Sequence, residues 1–253
     1  MSRVLLTGAA GKVGKHVVEA LQGRGAELVA TDLRSKGLAR SVRFERCDLT
    51  DAAAVDRLLA DVKPDVVVHC AAVVAPIAYA EPGLAEAVNL GGTRHLIEAT
   101  KKHAKDAFFL FVSSYTAFGP FCPEQPDRKP TDPCAPVDNY GQQKLTAETW
   151  LRESGLRQCV LRLGAVMDMD DLIPGHWSYR PFMFMVPLEQ PEHGVDVRDV
   201  ARAIVAAATE EPDGQLFLIG GDDSWKVPAR VLREEMLQAM GLALPPESAF
   251  RSG

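Results

Sequence analysis

Short apolar runs alternate with stretches of helical period from the first residues of the chain. Val4–Thr7, Glu27–Thr31, Val42–Cys47, Val66–Cys70, Phe108–Val112 and Cys159–Leu163 are four to six residues long, apolar and partly β-branched. Such runs, bounded by turn residues, predict strands buried on both faces of a parallel sheet. Between them, Val13–Gln22, Ala52–Asp61, Leu84–His103 and Asn139–Ser154 carry apolar residues at helical spacing. The helix near 84–103 places Lys101, Lys102 and Lys105 around its carboxyl end, where the helix dipole favours cations. Strand–helix alternation over 160 residues predicts β-α-β units with right-handed crossovers, hence an α/β fold with a doubly wound parallel sheet.

After Gly164 the pattern changes. Residues 165–195 are irregular, and a helix at Val197–Thr209, a strand at Leu216–Ile219 and a helix at Val227–Met240 follow. We therefore expect a dinucleotide-binding domain over 1–164 and a small, interlocked C-terminal α/β substrate lobe over 165–253. A second irregular stretch, 119–137, precedes the helix at 139. Long structureless connections of this kind form lids or binding loops.

Composition narrows the function. Twenty-eight basic against 34 acidic residues give a net charge of −6, without the basic stripe of a nucleic-acid-binding protein. No apolar run approaches the roughly 20 residues of a membrane span. The first residues, Met-Ser-Arg-Val-Leu-Leu-Thr-Gly, carry no secretory pattern. The five cysteines (47, 70, 122, 134 and 159) include no C-x-x-C pair, so they read as reduced thiols of a cytoplasmic protein. No histidine spacing suggests a metal site.

Three motifs carry chemistry. Gly8, Gly11 and Gly14 lie where a buried strand turns into a helix, the arrangement that lets backbone approach a pyrophosphate at a helix N-terminus. By itself this is also compatible with a plain glycine-rich βα turn. Asp32 follows the second strand, where a carboxylate can accept from a ribose 2′-hydroxyl and repel a 2′-phosphate; Arg34 and Lys36 stand close by. Tyr140 and Lys144 place a phenol and an ammonium one helical turn apart, in the helix that follows the strand ending Val112-Ser113-Ser114.

Gly8/Gly11/Gly14, Cys47-Asp48-Leu49, His69-Cys70-Ala71-Ala72, Ser113-Ser114 and Tyr140…Lys144 occur in this order. Together they resemble the extended short-chain dehydrogenase/reductase family, the NAD-dependent epimerase/dehydratase group, over about residues 3–210. The resemblance implies a Rossmann-like fold and NAD as cofactor. It implies that Lys12 and Val13 offer N–H groups to the pyrophosphate beside the glycines, that Asp48 and Leu49 hold the adenine, and that Ala71 and Ala72 line the nicotinamide side. Ser114, Tyr140 and Lys144 would be the catalytic trio, with Tyr140 exchanging a proton with the substrate oxygen, Lys144 also holding the nicotinamide ribose and Ser114 hydrogen-bonding the reacting oxygen. Related proteins dimerise through the helices at 84–103 and 139–154, which implies a homodimer.

Other residues are given quieter roles: His69 is read as packed and Arg162 as structural, while Asp196 and Asp199 serve the substrate lobe or cap its helix. Asn89 is open between ligand contact and scaffold. Three departures bear on substrate. Ser114 is followed by Tyr115-Thr116-Ala117 rather than by an acidic pair, Glu192 falls where related nucleotide-sugar enzymes carry an arginine, and the C-terminal lobe is short. The segment 177–186, rich in methionine and aromatics, suits either an adaptable apolar pocket or packing of the lobe. The expected activity is hydride transfer between nicotinamide and a small or apolar alcohol or carbonyl. The alternatives are a nucleotide-sugar epimerase with tightly held NAD and a non-catalytic dinucleotide-binding module.

Overall fold

A computed structural model describes residues 2–120, 127–168 and 191–228, together with positions 230, 231, 234, 237 and 238. The elements, in chain order, begin with β1 (Arg3–Thr7), α1 (Lys12–Gln22), β2 (Glu27–Asp32), β3 (Arg43–Arg46), α2 (Ala52–Val62) and β4 (Val66–His69). They continue with α3 (Ile77–Ala80), α4 (Pro82–Glu86), a π-helical turn (Ala87–Gly92), α5 (Thr93–His103) and β5 (Phe108–Ser114). After a 3-10 turn (Tyr115–Phe118) come α6 (Asn139–Glu153), β6 (Arg157–Leu163), β7 (Ala165–Met167), β8 (Pro191–Asp196), α7 (Val197–Glu210), β9 (Gln215–Ile219) and β10 (Lys226–Pro228).

Seven strands form one sheet in the order β3-β2-β1-β4-β5-β6-β9, parallel at every pairing. Successive residues of β1 point to opposite faces. Val4 and Leu6 join Ala30, Val68 and Leu110 in a core with Val17, Val18 and Leu21 of α1 and Ile204 and Val205 of α7. Leu5 joins Val29, Val67 and Phe109 in a second core with Leu59 of α2, Leu96 of α5 and Leu151 of α6. Helices on both faces explain why the strands read as continuous apolar runs rather than alternating ones. The chain runs outward from β1 to β3, returns to β4 and proceeds the other way, so the order reverses between β1 and β4. A ligand crevice lies outside the carboxyl ends of the strands at such a reversal.

Each strand expected over residues 3–163 is present, with β5 running on to Ser114 through pairing of Ser113 and Ser114 with Arg162 and Leu163. The helix expected at 84–103 begins at Pro82 and is interrupted by the π turn at 87–92. The boundary expected at 164 separates β6 from β7, but α7 and β9, beyond it, return to the large sheet. A small three-stranded sheet completes the lobe, with β7 parallel and β10 antiparallel to β8. Val227, expected to open a helix, instead sits in β10 opposite Glu192. Pro228 fits there because β10 is an edge strand; positions 230, 231, 234, 237 and 238 are helical. The stretch 177–186 and Cys122 lie outside the described residues, as does most of the expected last helix.

Candidate active site

The glycine turn sits at the carboxyl end of β1. Gly8 has φ +70, a left-handed conformation natural only to glycine. A Cβ there would stand 2.6 Å from the Ala71 nitrogen, and a Cβ at Gly14 would stand 2.1 Å from the Gly8 oxygen. The turn is thus closed against α1 on one side and against the residue after β4 on the other. Gly11 caps α1 without a side-chain hydrogen bond, having no side chain to lay over the first turn. Such a terminus attracts anions through its exposed donors and dipole. A glycine turn drawn this tightly onto a helix N-terminus fits the pyrophosphate of a dinucleotide.

Asp32 closes the same turn from β2. Its carboxylate accepts from Ala10 N at 3.1 Å and from Leu33 N at 2.7 Å. Farther along the edge, Asp48 accepts from the backbone and hydroxyl of Thr50 at 2.9 and 2.7 Å, bonds that hold its carboxyl below the usual range. Leu49 is buried against the α5 face; a Cβ at Gly92 would meet its Cβ at 2.9 Å, and its carbonyl accepts from His95 Nδ1 at 2.9 Å.

A buried chain of bonds ties the end of β4 to this turn. Ala71 N donates to Thr7 Oγ1 (3.3 Å), and Thr7 Oγ1 lies 2.7 Å from His69 Nδ1. His69 Nε2 lies 2.9 Å from Thr93 Oγ1, which donates to the Asn89 carbonyl at 2.6 Å. With its hydrogen spent on Asn89, Thr93 accepts from His69 Nε2–H. Buried in its neutral form, His69 carries its one hydrogen on Nε2, and its Nδ1 accepts from Thr7. Burial, with Lys144 nearby, depresses the imidazole to about 3. The Asn89 side chain bonds Val73 N, Val73 O and Gln143 Oε1 at 2.8–2.9 Å. Asn89 thus splints the loop after β4 to α6 across the π turn.

Tyr140 lies in the first turn of α6, whose N-cap Asp138 accepts from Gly141 N at 2.9 Å. Lys144 Nζ stands 5.7 Å from the Tyr140 ring centroid and 4.8 Å from that of Phe111, and donates to Val112 O at 2.8 Å. Only 4% exposed, the ammonium is pulled down to about 8 by burial, against the opposing pull of Cys70 and Glu148. The phenol of Tyr140 is pushed well above the usual tyrosine range by burial, then by Tyr79 and Asp138. Ser114 ends β5, and its Oγ accepts from Thr116 N at 3.2 Å. A Cβ at Gly141 would lie 2.5 Å from Thr116 O; glycine there lets the turn carrying Ser114 approach the helix carrying Tyr140.

Beneath these residues lies a network that the motifs did not reveal. Glu148, with 0% of its side chain exposed, accepts from Ser113 Oγ at 2.5 Å and from Arg162 Nε and Nη2 at 2.9 and 2.6 Å. Burial opposes the charge of Arg162, but the bonds and charge of Glu148 outweigh it and raise the guanidinium. Arg162 also stacks on Phe118 at 4.4 Å. The structural role expected of Arg162 is thus seen in its contacts. A signal was available: Tyr140, Lys144 and Glu148 stand four apart, on one face of α6. Asp196 caps α7 through Arg198 N and pairs with the Arg198 side chain; Asp199 pairs with Arg202. Among the described residues no cluster of three or more metal-ligating side chains occurs, and no helix is long and apolar enough to cross a membrane.

A doubly wound sheet with a glycine turn at its switch point defines a dinucleotide-binding α/β protein. Residues 4–167 match the model of the NAD dependent epimerase/dehydratase family, and the chain belongs to that family. Among curated proteins it is 29% identical to the methionine adenosyltransferase 2 subunit beta of Rattus norvegicus, over 98% of this chain and 74% of that one. It is 31% identical to a UDP-glucose 4-epimerase of Azospirillum brasilense, over 66% of this chain and 50% of that one. Among solved structures, the Thermus thermophilus UDP-glucose 4-epimerase in complex with NAD superposes with a TM-score of 0.79 at 26% identity, covering 95% of this chain and 84% of that one.

Proposed function

We propose that this protein is an NAD-dependent oxidoreductase acting on the alcohol or carbonyl carbon of a small or apolar substrate. The observation that carries the reading is the meeting of Tyr140, Lys144 and the Ser114 turn at the carboxyl edge of the sheet, beside the glycine turn. The cofactor, when bound, supplies the hydride acceptor or donor. Lys12 and Val13 would present their N–H groups to its pyrophosphate, Asp32 would face the adenosine ribose, Asp48 and Leu49 the adenine, and Ala71 and Ala72 the nicotinamide side. Tyr140 takes the proton of a substrate hydroxyl on oxidation and returns it on reduction. Lys144, beneath the Tyr140 ring, supplies positive charge to the phenolate and would also hold the nicotinamide ribose. Ser114 steadies the reacting oxygen with its hydroxyl.

Substrate class follows from the rim. Val74, Ile77 and Tyr79, in the segment after β4, are large apolar side chains left exposed beside α6, as is Val137 just before it. With no acidic pair after Ser114, the site lacks the groups for water elimination. A second reading, a nucleotide-sugar epimerase, is favoured by the superposition on UDP-glucose 4-epimerases. The match of nearly the whole chain to a protein named as a subunit favours a third, a binding module within an assembly.

Nicotinamide absorbance with a panel of small alcohols, sugar acids, aldehydes and hydrophobic ketones, set against UDP- and GDP-sugars, separates the three. Turnover of the first group, lost about 10²–10⁴-fold in Tyr140→Phe, supports the proposal. Turnover or thermal stabilisation with nucleotide sugars alone establishes the second reading. Tight NAD binding without turnover, unchanged in Tyr140→Phe, establishes the third.

A further inference from the structure

The residue two places before Tyr140 is a carboxylate with more than one partner. Asp138 Oδ1 accepts from Gly141 N at 2.9 Å and from the Tyr79 hydroxyl at 3.3 Å. Tyr79 belongs to α3, in the segment that leaves the carboxyl end of β4, so this hydroxyl bridges the nicotinamide side of the crevice to the start of α6. One carboxylate oxygen thereby joins the rim, the helix N-terminus and the turn of helix that carries Tyr140.

We propose that Asp138 and Tyr79 form a clamp that positions Tyr140 and governs when it gives up its proton. The inference rests on Tyr140 being the proton-transfer residue. Charged and titratable groups reach the phenol from three sides: Asp138 from the helix cap, Tyr79 from α3, and Lys144 from one turn farther along α6. Cys70, at the end of β4, and Glu148, on α6, bear on Lys144. A negative charge at Asp138 opposes a second one on the phenolate, while the Tyr79 hydroxyl fixes the carboxylate in place. Lys144 directs a hydrogen bond at Val112 O, and the clamp adds to burial in keeping Tyr140 of the free site protonated. That is the form a carbonyl reduction would consume: Tyr140 would give its proton to the substrate oxygen while the bound cofactor supplied hydride to carbon, and water would reprotonate the phenolate. An ordinary serine or threonine cap would satisfy Gly141 equally well without placing a charge there.

The test uses Asp138→Asn, because asparagine is as good an N-cap as aspartate and the fold should survive. The chain has four tyrosines; with carbon-13 at the tyrosine ring carbon bearing oxygen, each gives one titrating resonance, and Tyr140→Phe assigns the one of interest. In the full-length protein with NAD, Asp138→Asn is expected to increase the phenolate-to-phenol ratio of Tyr140 about tenfold at any pH on its titration curve, the size of a single charge interaction of about 1.4 kcal/mol. Tyr79→Phe should broaden or shift the same resonance while thermal stability changes little. An unchanged Tyr140 titration in Asp138→Asn overturns the clamp. Turnover of Tyr140→Phe at the wild-type rate instead overturns the catalytic assignment on which it rests, so the two failures are distinct.

Discussion

Glu148 offers a sharp test of how the site is held. Glu148→Ala removes the bond from Ser113 and both bonds from Arg162, leaving a guanidinium with 3% of its side chain exposed and no counter-ion. Arg162 Nη1 already lacks a hydrogen-bond partner, and Cys134, which also favours its charge, does not replace a carboxylate. Breaking a buried pair from one side costs about 3–5 kcal/mol, most of it the uncompensated charge. That is a large share of a total stability of about 5–15 kcal/mol. At about 2–4 °C per kcal/mol for a chain of this size, the melting temperature should fall by about 6–20 °C. Removing both charges with apolar residues of similar volume, Glu148→Leu with Arg162→Met, should recover most of the loss. Urea unfolding and thermal unfolding, each followed by far-ultraviolet circular dichroism, give the free-energy loss and the melting temperature. A loss below about 1 kcal/mol in Glu148→Ala, or a double variant no more stable than the single, would refute the account.

Three further outcomes follow from the site. NAD should bind at least about tenfold more tightly than NADP by calorimetric titration, because a 2′-phosphate would face the Asp32 carboxylate; equal affinities would mean that Arg34 and Lys36 outweigh it. His69 binds its proton less readily folded than unfolded, so its contribution to stability is complete above about pH 6.5 and fades as pH falls toward about 3. The wild-type stability curve should therefore be steeper than that of His69→Gln between pH 6.5 and 5, by at most about 1.4 kcal/mol per pH unit, and parallel curves would contradict the buried neutral ring. We also expect a homodimer formed through the helices spanning 82–103 and α6; light scattering showing only a monomer at micromolar concentration would count against it.

The middle of the sheet was legible because β1, β2, β4, β5 and β6 are largely buried on both faces, so their apolar runs stand out whatever surrounds them. The glycine turn was legible because close backbone contacts at Gly8 and Gly14 admit no other residue. Less could be read where polar side chains turn inward. The sequence reads His69 only as packed and leaves Asn89 open, and only their partners across the fold show them, with Thr93, to be one bonded chain. Val227 misled for a local reason: a helical pattern begins near it, but the three residues from Lys226 to Pro228 are used first to edge the small sheet.

Helix α6 shows why the candidate site needs this polar interior. Its inward face buries Gln143, Lys144 and Glu148 beside Ala147 and Leu151, whereas α1 buries only Gly14 and aliphatic residues. An apolar contact tolerates sliding and rotation, because burial is nearly indifferent to direction. A hydrogen bond is not, and a buried polar group left unpaired costs about 1–3 kcal/mol. With Gln143 bonded to Asn89, Lys144 to Val112 O and Glu148 to Ser113 and Arg162, any small rotation of α6 breaks several bonds at once. The phenol of Tyr140 is thereby held to one azimuth relative to β5 and the loop after β4. It follows that the apolar pair Glu148→Leu with Arg162→Met should restore stability without restoring the site: the helix would be well packed, yet free to settle at a rotation that leaves Tyr140 and Lys144 misplaced.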